Sequence, residues 1–209
     1  MKYKVKPKRQ YDNSSRLARS ADTKAAILDA ARSLFSKRGV DTVTIDEIAE
    51  KAGVSSPTIY ATFKSKAGVI KAIIENTFFG EHYAAVASLL QTTSDPVELL
   101  KITARISRVI FDNEKAEIGL MRGTSAFSPE LRKIESEFEA RRYTLQEGRA
   151  NLLVQTYKKA ATLGINKVRD MMWMLTGRDI YRMYVIERKW TSDEYEAWLA
   201  STMVALLVD

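Results

Sequence analysis

The stretch TIDEIAEKAGVSSPTIYATFKSK, residues 44–66, decides how this chain is read. Thr44 precedes an apolar-periodic run and has Glu47 three positions on. That spacing is a capping box, in which each side chain satisfies the other residue's orphan N–H at a helix start. Asp46 and Glu47 add negative charge to the first turn, where the helix dipole favours it. Ile45, Ile48, Ala49 and Ala52 recur at helical spacing and predict a buried face. Gly53 then ends the helix, since glycine accepts the left-handed backbone of a sharp turn. Ser55 caps the next helix and Pro57 lies near its start, where a missing N–H costs nothing. Ile59, Tyr60 and Phe63 follow on that helix.

Upstream, Ile27, Ala30, Ala31, Leu34 and Phe35 predict an earlier helix, from Thr23 with Asp22 as its cap to a stop at Gly39. The three short helices, the last two joined by Ala-Gly-Val-Ser, make a helix-turn-helix. The second helix braces the third, Val54 plugs the angle between them, and the third projects its N-terminal half toward a major groove. Residues 1–22, rich in Lys and Arg with Pro7, read as a flexible basic arm. The head spans 23–69, and 70–209 is a larger helical body. Its helices are expected at about 67–90, from Pro96 to about Asn113, a short glycine-broken piece at 118–127, from Pro129, then 139–163, 166–189 and 191–208. No strand pattern or internal repeat appears, so the fold class is all-α.

Composition narrows the function. The chain has 209 residues, 45% hydrophobic, and a net charge of +7. Residues 1–70 hold nine Lys and five Arg against seven acids, while residues 71–209 balance at 19 of each sign. A basic head on a neutral body is the footprint of a phosphate-binding module, so double-stranded DNA is the expected partner. There is no cysteine, hence no disulfide and no thiolate metal site. No apolar run reaches the roughly 20 residues of a membrane span. The start, MKYKVKPKRQ, lacks a signal core, so a cytoplasmic location with no membrane partner is expected. An enzyme is not expected: the single histidine, His82, stands beside Glu81, and no phosphate loop, nucleophile elbow or metal spacing occurs. No cofactor and no metal are called for.

Residues 44–66, with the preceding Leu34-Phe35 and Gly39, resemble the TetR/AcrR family of repressors, and the run from Trp173 to Ala200 resembles the ending of a subgroup of it. Pro57 and Thr62 depart from the residues most members carry. The resemblance implies a plan of about nine helices, a helix-turn-helix head on a ligand-binding and dimerisation bundle. It implies that Tyr60 contacts a phosphate through its hydroxyl, and Lys66 through its charge, with Lys64 beside it. Thr44 would offer its hydroxyl and N–H to another phosphate, and Ser55 would do the same or act only as a cap. Base reading falls to Ser56, Pro57, Thr58, Ala61 and Thr62 at the front of the third helix. None of these is Arg, Asn or Gln, so DNA shape and the basic arm supply part of the specificity.

In the family the last two helices pair with their copies. Met172, Leu175, Tyr195, Trp198, Leu199, Met203 and Leu206 are the candidate homodimer residues, because apolar stripes this large call for a partner. A pocket for an unknown small-molecule effector is expected among Met121, Phe127, Phe138, Tyr143, Tyr157, Met172 and Trp173, since Met and aromatics adapt to apolar ligands. Ligand binding would swing the fourth helix and release the dimer from a palindromic operator. The alternatives are an adaptor of the same fold held by a protein partner, and an activator.

Overall fold

A computed structural model describes residues 13–114 and 129–208. Every regular element among the described residues is a helix. The chain divides into two compact units, Met1–Val69 and Ile70–Asp209. No described helix is long and apolar enough to cross a membrane. The candidate pocket residues Met121 and Phe127, and the short piece at 118–127, lie outside the described residues.

The first unit contains α1 (Asn13–Arg38), α2 (Ile45–Ala52), α3 (Ser56–Phe63) and the first turn of α4 (Lys66–Phe79). α1 starts at Asn13 rather than Thr23. Leu17, Ala18 and Ala21 among arginines form helix readily and no Gly or Pro interrupts them, so Asp22 sits inside the helix and caps nothing. Ile27, Ala31 and Phe35 of α1 bury against Ile45, Ile48 and Ala49 of α2 and Ile59 and Phe63 of α3. The capping box forms: the Thr44 N–H donates to Glu47 Oε2 at 2.8 Å and the Glu47 N–H to Thr44 Oγ1 at 3.2 Å. Gly53 takes φ 66°, ψ 33°, and its N–H closes α2 on Ala49 and Glu50.

The turn from α3 to α4 is tighter still. Lys64 has φ 71°, ψ −40°, and the Ser65 N–H donates to the Phe63 carbonyl at 2.9 Å. This is a classic-handed γ-turn, rare and strained for a residue with a side chain. A Cβ on Gly68 would lie 1.8 Å from the Phe63 carbonyl oxygen, so only glycine lets α4 approach α3 this closely.

The second unit holds the rest of α4, then α5 (Glu81–Ala87), α6 (Pro96–Glu114), α7 (Pro129–Leu145), α8 (Glu147–Thr156), α9 (Lys158–Leu163), α10 (Ile165–Leu175), α11 (Arg178–Tyr181) and α12 (Ser192–Leu207). Three expected long helices are broken. The 67–90 helix breaks at Gly80, which is extended and caps α5. The 139–163 helix breaks at Gln146 and again at Tyr157, whose backbone is extended. The 166–189 helix breaks at Thr176-Gly177, where Gly177 is extended, and α11 runs on as a π-helix over Arg182–Glu187.

α6 is the spine of this unit. Leu100, Ala104 and Phe111 are buried on it, and α12 packs along it with Tyr195, Leu199, Met203 and Leu207 fully covered. Tyr195 Oη meets Ser107 Oγ at 3.2 Å, and Tyr181 Oη donates to Asp112 at 2.5 Å. Burial pushes the Tyr195 phenol up to about 12. Arg108 on α6 reaches Asp193 and Glu196 on α12.

This arrangement corrects the pairing stripe. Met172, Leu175, Tyr195, Leu199 and Met203 are covered by the chain's own helices, so they form its core and offer no face to a copy. Of the candidate set, Trp198 is half-buried and Leu206 is 37% exposed. The apolar groups left in solvent on α10, the π-segment and α12 are Met174, Met183, Ile186 and Leu206, with Trp173 beside them.

Gly53→Ala is expected to cost about 1 kcal/mol, the left-handed backbone alone, because nothing lies within 4 Å of the added Cβ. Gly68→Ala is expected to cost clearly more, since backbone itself must move. Urea titration of the two variants measures the difference; equal losses would contradict the tight α3–α4 approach.

A second expected outcome concerns acid. Glu47 is held below the usual carboxylate range first by the Thr44 N–H and then by Arg38, and Glu194 by the Thr191 N–H of a second capping box. Stability from both is present at neutral pH and is lost as pH falls through the lowered values. In Glu47→Gln with Glu194→Gln, the decline of thermal midpoint between neutral and acid pH should be shallower than in the parent.

Candidate nucleic-acid interface and ligand cavity

α3 is an eight-residue helix with Ile59 and Phe63 turned inward. That leaves Pro57, Tyr60, Ala61 and Thr62 exposed on its other side, with Ser56 and Thr58 half-buried. Tyr60 is 51% exposed, and its hydroxyl has no partner among the described residues. The short hydroxyls are already engaged. Ser56 donates to Asp46 at 2.5 Å, Ser55 pairs with Thr58 at 2.8 Å, and Thr62 donates to the Thr58 carbonyl at 2.8 Å. Ser55 stands at the cap position, yet its side chain makes no capping bond. The outward surface of α3 is therefore mostly carbon, plus one phenol.

Two phosphate candidates are committed inside the head. The Thr44 N–H and hydroxyl both donate to Glu47 Oε2, at 2.8 and 3.1 Å. This corrects the expectation that they meet a phosphate: the capping box uses both donors and places a carboxylate beside them. Lys66 Nζ donates to the Val40 and Val43 carbonyls at 2.9 and 3.0 Å. It fastens the start of α4 to the α1–α2 turn and keeps one N–H of its three. Lys64 Nζ is exposed and donates only to the nearby Ala61 carbonyl at 3.3 Å.

The second unit contains a cavity of about 50 Å³. Its apolar wall is Phe78, Phe79, Tyr83, Phe111 and Phe138, with Phe79 and Phe138 stacked at 5.7 Å. The opposite wall is polar. Glu139 Oε2 accepts from Arg142 Nε and Nη2 and from Trp173 Nε1, at 3.0, 2.7 and 2.8 Å. Arg142 Nη1 donates to the Trp173 carbonyl and to Thr176 Oγ1, which also accepts from Gln146 Nε2 and donates to the Met172 carbonyl. Gln146 Oε1 is buried without a partner. Arg149 lines the same wall, its Nε shut from water and unpaired, and burial pushes the guanidinium below its ordinary value.

Of the expected pocket residues, Phe138 lines this cavity. Tyr143 turns aside, its hydroxyl donating to Asp170 at 2.8 Å. Met172 is core, Tyr157 is half-buried away from the cavity, and Trp173 lines a wider neighbouring cleft with Arg132, Glu135 and Arg178, which shares Glu139 and Arg142 with the cavity. Sequence reading missed Arg142, Gln146 and Arg149. Their spacing of four and then three would share one face of the continuous helix expected over 139–163, which was the available signal.

Residues 27–73 match the family described as bacterial regulatory proteins, tetR family. Residues 27–73 therefore form a TetR-family N-terminal domain. The chain is 41% identical over 71 residues to the uncharacterised regulator YvkB of Bacillus subtilis, covering 34% of this chain and 35% of that protein. It is 35% identical over 80 residues to the regulator TtgR of Pseudomonas putida, 38% of each chain. The repressor BdcR of Escherichia coli is 29% identical over 115 residues, 53% of this chain and 57% of that one. The match thus spans little more than a third of the first two relatives' length.

Solved structures extend the likeness over the whole fold. A putative TetR-family regulator from Syntrophomonas wolfei superposes with a TM-score of 0.75 at 16% identity, over 90% of this chain and 96% of that one. NalD of Pseudomonas aeruginosa, the secondary repressor of the MexAB-OprM efflux pump, gives 0.67 at 18%, over 91% and 98%. A putative regulator from Saccharomonospora viridis, solved with choline, gives 0.64 at 19%, over 90% and 99%. At these identities the likeness is one of fold.

For this TetR-family head, Tyr60→Phe is expected to weaken DNA binding while leaving the thermal midpoint unchanged, since the hydroxyl has no internal partner. Lys66→Met is expected to lower the midpoint as well, by loss of about 1–2 kcal/mol in charge-assisted hydrogen bonds. Fluorescence anisotropy on DNA beside thermal unfolding separates the two; an unchanged midpoint in Lys66→Met would contradict its fastening role.

Proposed function

We propose that this protein is a cytoplasmic transcriptional repressor that binds a two-fold symmetric operator as a homodimer and leaves it when a small molecule enters the body. The observation behind the DNA reading is the solvent-facing side of α3, with Tyr60 free and Lys64 at its end, on a basic segment. BdcR, BepR of Brucella suis and NalD are each named as repressors, which favours repression over activation.

Pairing draws support from Met174, Met183, Ile186 and Leu206, apolar groups left exposed on the later helices. The cavity supports a small-molecule effector over a protein partner, because an adaptor has no need of an aromatic hollow with unsatisfied polar groups. Coupling follows from α4. It is one continuous helix that begins in the first unit, where Lys66 is fastened, and ends in the second, where Phe78 and Phe79 form cavity wall. A ligand that prefers one setting of that wall shifts the helix with it, and DNA then binds the other setting better.

Base reading in this proposal relies on carbon contact and shape. Pro57, Ala61 and the threonine methyls pack on thymine methyl groups, and no Arg or Asn on α3 grips a purine edge.

Nuclease footprinting over DNA flanking the gene, in moderate salt, tests the reading. A protected, two-fold symmetric site is expected, with one dimer per site by sedimentation. Protection of a single unrepeated half-site, or salt-sensitive smearing alone, would overturn it.

A further inference from the structure

Resting on the reading of this cavity as the effector site, we infer that it takes a small apolar organic acid whose carboxylate pairs with Arg149. Charge accounting on the polar wall leads there. The Glu139 carboxylate is filled by Arg142 and Trp173. Arg142 is filled by Glu139, Thr176 and the Trp173 carbonyl. Arg149 is half-buried, with Nε shut from water and without a partner, and no carboxylate among the described residues pairs with it. The wall therefore holds two guanidinium groups against one carboxylate, and the unmatched one is Arg149.

An unpaired charge withdrawn from water destabilises the fold that holds it. A ligand carboxylate removes that penalty on entry, so the same charge that weakens the empty body favours the filled one. Arginine suits this role because its planar fork meets both carboxylate oxygens at once. Gln146 Oε1 supplies a second unmet need on the same face, an acceptor for an O–H or N–H placed beside the acid group. The remaining wall, Phe78, Phe79, Phe111 and Phe138, selects an apolar body.

At about 50 Å³ the space is roughly a third of one that takes a benzene ring, so a six-carbon chain or a ring enters only if Phe79 or Phe138 swings aside. A cationic ligand fits poorly, since no carboxylate on the wall is free to meet it.

The test is calorimetric titration of the full chain, without DNA, using hexanoate and benzoate beside hexanol and benzyl alcohol. Both acids are expected to bind one per chain and both alcohols far more weakly. Arg149→Met should weaken acid binding roughly ten- to a hundredfold, and Arg149→Lys less. Without acid, Arg149→Met should melt no lower than the parent, because it removes an unpaired charge. No acid binding, equal binding by the alcohols, equal binding by Arg149→Met, or a lowered midpoint in that variant would each overturn the proposal. Acid that binds but leaves the footprint intact would uphold the acid site and remove the effector reading. A footprint released by another compound, with no acid bound, would overturn the acid site and spare that reading.

Discussion

An eight-residue helix does not hold itself together in water, yet the head rests its outward chemistry on one. The orientation of α3 is set from outside it. Ile59 and Phe63 anchor it in the core, the Ser56–Asp46 bond ties its start to α2, and the bare Gly68 lets α4 close against its end. Lys66 then fastens α4 to the turn between α1 and α2. Each of these contacts limits how far the exposed face can tilt. The strained turn at Lys64 is tolerated because its neighbours on both sides are fixed.

The body uses polarity differently. Its core is sealed by α6 against α12, where Ser107 and Tyr195 meet, and its polar groups gather on one wall of a small cavity. Most of that wall is self-satisfied through the Thr176 hydroxyl, which accepts from Arg142 and Gln146 and donates to the Met172 and Trp173 carbonyls. Departures from such satisfaction in a folded protein point to function, and of the buried side-chain atoms left without a partner among the described residues, Gln146 Oε1 and Arg149 Nε are the two that belong to this cavity's lining.

The head was largely legible in the sequence because its signals are local. A capping box, a glycine stop and a helical apolar period each act within a few residues, and all three stand in the structure. The same locality concealed a conflict: Thr44 was read both as a cap and as a phosphate ligand, while its two donors serve only the first. The body was legible as helices but not as surfaces. An apolar stripe such as Tyr195, Leu199 and Met203 looks the same whether a copy or the chain's own α6 covers it. Helix breaks at Gln146 and Tyr157 fall on residues that are neither Gly nor Pro, so neither position marks itself as a stop. Arg149 was missed because an isolated arginine on a helix reads as solvated until its surroundings are known.

The pairing of Ser107 with Tyr195 joins residues 88 positions apart, whereas the hydrogen bond by which Lys66 closes the head on Val40 spans 26. Chain synthesis runs slowly beside helix formation. The head can thus finish folding while α6 still waits for α12 to emerge from the ribosome. During that interval the apolar side of α6 is uncovered, and it is there that a nascent chain would need a chaperone.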